Sequence, residues 1–413
     1  MSKFFLCVSA SLRLNSAVLE IPKTMRVVVY RGVNDLRLET VPVPRIGAHE
    51  LLVKVAVCGV CPTDIKKIQY GTVPPPRIFG HETAGTIVKI GAGGASVPAS
   101  RLKIGDRVAL HHHVPCLDCH FCRHHAFAQC ATYKRTGITA GFEPAGGGYA
   151  EYVRVMPFVL PGVVKIPARN SFAEGAMLEP VNTVLKAVRR LNLLRGDVVL
   201  VAGQGPIGLM FTRLLQLAGA RVLATDLLES RLRLAKKFGA KWTHLVESRE
   251  SRVESQRKQG AQHEVLKALV PRPSSLDAAI VAVPSDAAVH QALQLIRSGG
   301  QVLLFAHTKK ADGRWQMADG GLPSAVPNSH LPTPISQIDF ASICLDEKDL
   351  IGSYSSDFTL QAEVARLVFS RRLDVRRLIT HYFPLAETAS AVALAAQPDA
   401  DSLKIVVRVT GND

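Results

Sequence analysis

Four cysteines fall within fifteen residues, as Cys116-x2-Cys119-x2-Cys122-x7-Cys130. Four thiolates on one short loop can close a tetrahedron around zinc, and a closed tetrahedron leaves no position for a substrate. The spacing therefore predicts a structural zinc site that stabilises a lobe too small for a core of its own. An iron–sulfur cluster and four unliganded thiols are the alternatives. The other cysteines, Cys7, Cys58, Cys61 and Cys344, are scattered. That is the layout of a metal protein in a reducing compartment, not a disulfide framework, and it leads to an expected cytoplasmic location.

A second set of metal-type residues is dispersed, as Cys61-Pro62-Thr63-Asp64, Gly80-His81-Glu82 and Leu178-Glu179-Pro180. Cysteine, histidine and glutamate are all zinc ligands, and three of them plus an open position define a catalytic site. Each also has a plainer reading. Cys61 fits a small buried residue, His81 a hydrogen-bonded core histidine, and Glu179 a carboxylate favoured at a helix start. The residues alone leave joint ligation open. His111-His112-His113, just before the cysteine loop, reads as surface.

The third constellation is Gly203-Gln204-Gly205-Pro206-Ile207-Gly208. It follows an apolar strand and opens a helix, the context that gives a G-x-G-x-x-G motif meaning. Glycines there allow a tight turn and close approach of a pyrophosphate to the helix N-terminus. Asp226 ends the next strand, eighteen residues after Gly208. A carboxylate there accepts from both ribose hydroxyls and repels a 2′-phosphate, which predicts NAD over NADP. Arg231, five residues further, weakens that preference slightly.

These residues need a scaffold. The chain has 413 residues, 47% hydrophobic and 20% charged, which excludes a disordered or fibrous chain and implies two domains. Apolar runs such as AIVAV (279–283) are strand-sized, far short of the ~20 residues of a membrane span. The net charge of +16 raises nucleic acid as a partner. However, the basic residues are scattered as pairs, with no run of five and no aromatic–basic motif, so no dedicated nucleic-acid partner is expected.

From Met25 to about 155, short strands separated by Gly/Pro turns predict a barrel-like β module. Ser171 can cap a helix through AEGAML, and VNTVLKAVRRLNLL has helical spacing. From 197 to 306 strands and helices alternate, which predicts a parallel, doubly wound sheet. The polar stretch 248–262 and the Gly/Pro-rich stretch 309–334 read as loops. Residues 1–24 read as an extension, with the fold starting at Met25.

Together these motifs make the chain resemble the zinc-containing medium-chain dehydrogenase/reductase family, on the side of its sorbitol (polyol) and threonine dehydrogenases. The resemblance rests on GVCPTD (59–64), GHETAGTIVKIG (80–91), GDRV (105–108), the four-cysteine loop, GGYAEYV, LEP (178–180), GQGPIG and ITHYFPL (379–385), and runs from 25 to 413. It implies an α/β fold: a GroES-like β-rich catalytic domain plus a Rossmann doubly wound parallel-sheet domain. The implied division is an extension at 1–24, the catalytic domain at 25–181, the Rossmann domain at 182–354 and a return to the catalytic domain at 355–413.

The resemblance also implies roles. Cys61, not Cys58, and His81 would hold a catalytic zinc, with Glu82 and Glu179 completing the shell directly or through water. Thr63 would hand on the alcohol proton, and Asp64 would support His81. With the cysteine loop this makes two zinc ions per chain. Many relatives have histidine where Lys66 stands, so the usual outer proton relay is changed here. The implied activity is zinc-assisted hydride transfer between a small secondary alcohol and NAD, in a homodimer or homotetramer away from membranes. Two competing readings are a zinc-free, NADPH-dependent quinone or enoyl reductase of the same fold, and a non-enzymatic zinc- and nucleotide-binding protein with a basic surface.

Overall fold

A computed structural model describes residues 20–97, 100–111, 114–135, 146–246, 276–306 and 338–410. The loops read at 248–262 and 309–334 lie outside the described residues, as does the extension up to residue 19. Strands β1 (Thr24–Gly32) and β2 (Asp35–Pro42) form an antiparallel hairpin. Strand β3 (Leu51–Gly59) is buried along nearly its whole length, as expected of the apolar run LLVKVAVCG at the centre of a sheet. It pairs antiparallel with β4 (Glu82–Ile90), and between them lies helix α1 (Pro62–Tyr70).

After a short ladder of β5 (Ser96–Val97) and β6 (Ser100–Arg101) come β7 (Arg107–Leu110), β8 (Tyr152–Val155) and β9 (Val164–Lys165). Between β7 and β8 the chain forms the short helices α2 (His120–Arg123) and α3 (Ala131–Arg135), which carry the cysteine loop. Helix α4 (Phe172–Ala176) starts where the sequence predicts. Ser171 Oγ accepts from the Glu174 amide, and Glu174 Oε2 accepts from the Ser171 amide, a reciprocal cap worth about 1 kcal/mol.

Helix α5 (Leu178–Val188) then leads to β10 (Val198–Ala202), α6 (Pro206–Ala218), β11 (Arg221–Asp226), α7 (Glu229–Lys237), β12 (Trp242–Leu245), β13 (Leu276–Val281), β14 (Ile296–Leu304) and β15 (Asp349–Gly352). These six strands are all parallel, in the order β12-β11-β10-β13-β14-β15. Renumbered within the sheet, this is 3-2-1-4-5-6, the doubly wound dinucleotide-binding order. Strand β12 escapes the sequence reading because WTHL is short, half-buried and at the sheet edge, with neither an apolar run nor alternation to mark it.

The chain finally returns to the first sheet. Strands β16 (Ile379–Pro384) and β17 (Lys404–Arg408) pair in parallel, and β17 pairs antiparallel with β3. The order is β16-β17-β3-β4-β7-β9, with β8 also on β3. One apolar core joins the two sheets, running from Val57, Ala84 and Val406 through Val181 and Leu185 to Val199. Each such aliphatic side chain contributes roughly 1.5–3 kcal/mol on burial, so α5 is fixed against both sheets. No described helix is long and apolar enough to cross a membrane.

Candidate metal centres and dinucleotide site

The antiparallel pairing of β3 and β4 sets Gly59 opposite Glu82. Cys61 lies two residues past the end of β3 and caps α1, with Pro62 at the first helical position; His81 directly precedes β4. The register therefore brings residues twenty positions apart to one point. Ligand atoms of Cys61, His81 and Glu82 all lie within 4.8 Å of one another. Sulfur, imidazole nitrogen and carboxylate oxygen together make a zinc-type donor set. Cys58 is outside it: buried in β3 beside Thr83, its thiol is pushed up to about 12 by burial.

Asp64, on the first turn of α1, is buried against His81, with Oδ1 3.1 Å and Oδ2 3.0 Å from Nδ1. Burial works against a charged His81, but Asp64 and Cys61 outweigh it and raise its pKa well above the ordinary range. An Nδ1–H donating to Asp64 would leave Nε2 to bind a metal, the usual orientation of a metal-ligating histidine. The donor set, its burial and this orientation fit zinc.

The other expected residues lie on α1 and α5. Thr63 is half-buried on the first turn of α1. Lys66, on the same helix, is half-buried, and burial lowers its pKa. Glu179 is buried on the first turn of α5 but lies outside the group of donors within 4.8 Å of one another. Burial raises its carboxyl pKa to about 7; His81 opposes the shift and Glu82 adds to it. Lys404 is a residue the sequence reading missed. Its buried amine donates to Glu82 Oε1 at 2.5 Å and to the Val60 carbonyl at 2.8 Å. The sequence shows only a lysine at the head of the apolar run IVV, with nothing to indicate its partners.

In the cysteine loop all four sulfurs lie within 4.8 Å of one another. Cys122 Sγ is 3.9 Å from Cys116 Sγ and 3.5 Å from Cys119 Sγ. A tetrahedron with zinc–sulfur bonds of about 2.3 Å has edges of about 3.8 Å. The Cys119 amide donates to Cys116 Sγ at 3.4 Å and the Cys116 amide to Cys130 Sγ at 3.5 Å. Such donors favour thiolate. Burial alone would raise Cys130, but amide hydrogen bonds help hold it down at about 6; burial pushes Cys122 up to about 12. Among its described residues the lobe buries little beyond Cys122, Phe127, Ala128, Cys130 and Tyr133, too few side chains to stand without a cross-link.

The surface reading of His111 is corrected. It is fully buried, with Nε2 3.3 Å from Ser356 Oγ; His112 and His113 lie outside the described residues. His111 follows β7 inward, so its backbone position, not its polarity, decides its burial.

The glycine motif joins the fully buried β10 to α6. Gly203 has φ +92°, and a Cβ on Gly208 would stand 1.8 Å from the Gly203 carbonyl, so neither position admits a side chain without strain. Gly205 caps α6, Pro206 opens it and Ile207 is half-buried on its first turn. Asp226 ends β11 beside the turn: Oδ2 accepts from the Gln204 amide at 2.6 Å and Oδ1 from the Leu228 amide at 3.0 Å. Arg231 is half-buried on α7.

Comparison with known proteins agrees with this architecture. Residues 47–168 match the alcohol dehydrogenase GroES-like domain and residues 206–368 the zinc-binding dehydrogenase domain. Sorbitol dehydrogenase of Bombyx mori is 30% identical over 387 residues, covering 92% of this chain and 97% of that protein. Sorbitol dehydrogenase of Bacillus subtilis is 28% identical over 393 residues, covering 94% and 98%. A zinc-binding dehydrogenase of Sinorhizobium meliloti, crystallised with NADP, superposes with a TM-score of 0.72 at 25% identity, covering 94% of this chain and all of that one.

Proposed function

The chain belongs to the zinc-containing medium-chain dehydrogenase/reductase family, and from that premise we propose that it is an oxidoreductase that passes a hydride between a polyol, or a similar secondary alcohol, and NAD. The convergence of Cys61, His81 and Glu82, with His81 oriented by Asp64, carries this reading. The sorbitol dehydrogenases among its relatives support the polyol class. A zinc-free reductase needs neither His81 nor the cysteine loop, so the donor set speaks against that competitor.

Zinc bound at this point would act as a Lewis acid on the alcohol hydroxyl, and the nicotinamide would take the hydride. In our reading Cys61, His81 and Glu82 hold the metal, while Glu179 faces it through water. Asp64 keeps His81 in the ligating tautomer. Thr63 accepts the hydroxyl proton and passes it outward, where Lys66 stands in for the histidine of many relatives. A second zinc on Cys116, Cys119, Cys122 and Cys130 holds the lobe together.

The Gly203–Gly208 turn would bind the pyrophosphate and Asp226 the adenosine ribose, which favours NAD. Arg231 is the feature on the side of NADP. We assign the catalytic domain to 25–181 and 355–413 and the Rossmann domain to 182–354, supported by the return of β16 and β17 to the first sheet. A homodimer or homotetramer is supported by β15, an edge strand that exposes Leu350 close in sequence to the exposed Phe340 and Leu345. The free thiols of the described cysteines suit a cytoplasmic location.

Zinc content per chain, measured with NAD reduction on sorbitol, xylitol, threonine and simple secondary alcohols, tests the proposal. Two zinc ions and NADH formation on a panel member are expected. One zinc ion and no turnover would overturn it in favour of the zinc-free or non-enzymatic readings.

A further inference from the structure

Lys404 opens β17 and is 5% exposed, deep beside the Cys61 group. Its two hydrogen bonds reach the two segments that carry the metal donors. The Val60 carbonyl directly precedes Cys61, and Glu82 directly follows His81. The Val60 amide in turn donates to the Ile405 carbonyl at 2.9 Å, so the lysine is anchored to the same stretch it grips. Space for the carboxylate is built in opposite Glu82: a Cβ on Gly59 would stand 1.9 Å from Glu82 Oε2. Gly59 is not in the left-handed region, so its small size is what the position requires.

A buried ammonium is costly unless paired, and its pairing here consumes the carboxylate that would otherwise serve the metal. The side chains of Cys61, Glu82 and Glu179 face the amine, and Lys404 touches the Glu82 carboxylate directly. It therefore stands against a dication in two ways, by repelling it and by holding Glu82.

We propose that Lys404 is a positioning residue of the metal centre, which holds Glu82 over Gly59 in competition with the metal and so limits zinc affinity. The inference rests on the proposed Cys61/His81/Glu82 site.

The test is zinc affinity, measured by competition between the purified, zinc-loaded full chain and a chromophoric chelator. Cys61→Ser identifies which zinc belongs to this site. If that variant loses no zinc, the site reading itself fails, a result separate from those below. Lys404→Met is expected to bind this zinc at least about tenfold more tightly, the scale on which partners of metal ligands act. Lys404→Arg, which keeps the charge, should stay within about threefold of wild type. In a Glu82→Gln background the Lys404→Met gain should shrink to less than about threefold, because no charged carboxylate remains to be released.

Lys404→Gln is expected to shift affinity in the same direction as Lys404→Met and decides the matter if Lys404→Met does not fold. Unchanged or weaker zinc binding in a folded charge-removing variant would overturn the proposal. So would an undiminished gain in the Glu82→Gln background, since Lys404 would then act on the metal without Glu82.

Discussion

Both carboxylate oxygens of Asp64 face Nδ1 of His81, at 3.1 and 3.0 Å, although the two residues are seventeen positions apart. A carboxylate on Nδ1 favours the tautomer that keeps the proton there and leaves Nε2 for a metal. Asp64→Asn can still accept a hydrogen bond, but it removes the charge that makes His81 a stronger donor. We expect zinc retention at this site to fall, and kcat/KM for the alcohol to fall about 10- to 100-fold. Metal content and steady-state rates on one preparation check it. Wild-type values for both would show that Asp64 does not orient the ligand.

The contact also shows how much could be read before the fold was known. Cys61, His81, Glu82 and Asp64 were legible as residue types, and resemblance grouped them. What brings them together is the β3–β4 register, which a sequence does not display. The alternation of strands and helices from 197 to 306 was legible because buried parallel strands are continuous apolar runs. Strand β12 was not, being a short edge strand. Lys404 was hidden for a different reason. Its role depends on β17 pairing with β3 across more than 340 residues, and local patterning carries no trace of such a pairing. His111 misled because a run of histidines suggests surface, whereas its burial comes from the chain's path after β7.

Removing one thiolate of the cysteine loop separates the two metal sites. Cys130→Ser is expected to lose one zinc per chain and at least about 3 kcal/mol of stability, since binding energy at a structural site is folding energy. The Cys61 site should keep its metal. Zinc content and the urea midpoint report the two effects. An unchanged midpoint would mean that the lobe's few apolar contacts suffice without metal.

Cofactor choice can be tested at Asp226. Asp226→Ala would confound two losses, because the carboxylate also holds the Gln204 and Leu228 amides. Asp226→Asn keeps an acceptor for these and removes the charge that repels a 2′-phosphate. We expect kcat/KM for NAD to drop about tenfold and the NAD/NADP ratio to fall by at least that factor. A ratio that does not move would shift the discrimination to other residues, Arg231 first among them.

Glu174, on α4, binds Arg371 across 197 residues, and its charge should give the fold a pH dependence. Its carboxylate is 2% exposed and accepts from Asn170 Nδ2 at 2.9 Å, the Ser171 amide at 2.8 Å and Arg371 Nε at 3.0 Å. Burial alone would raise its pKa, but these donors outweigh burial and hold it below the ordinary value. A carboxyl whose pKa is lower in the folded state adds stability in full above its unfolded value of about 4.3. That stability is lost as pH falls through the folded value. Glu174→Gln should therefore cost roughly 2 kcal/mol at pH 7, where the ionised cap and its partners are broken. The gap between variant and wild type should narrow as pH falls below about 4.3, first as the unfolded chain takes up the proton and then as the native carboxylate does at its lower value. Urea unfolding at pH 7, 5, 4 and 3 measures this directly. A gap of equal size at every pH would mean that Glu174 acts by shape alone and that its charge contributes nothing to holding Arg371.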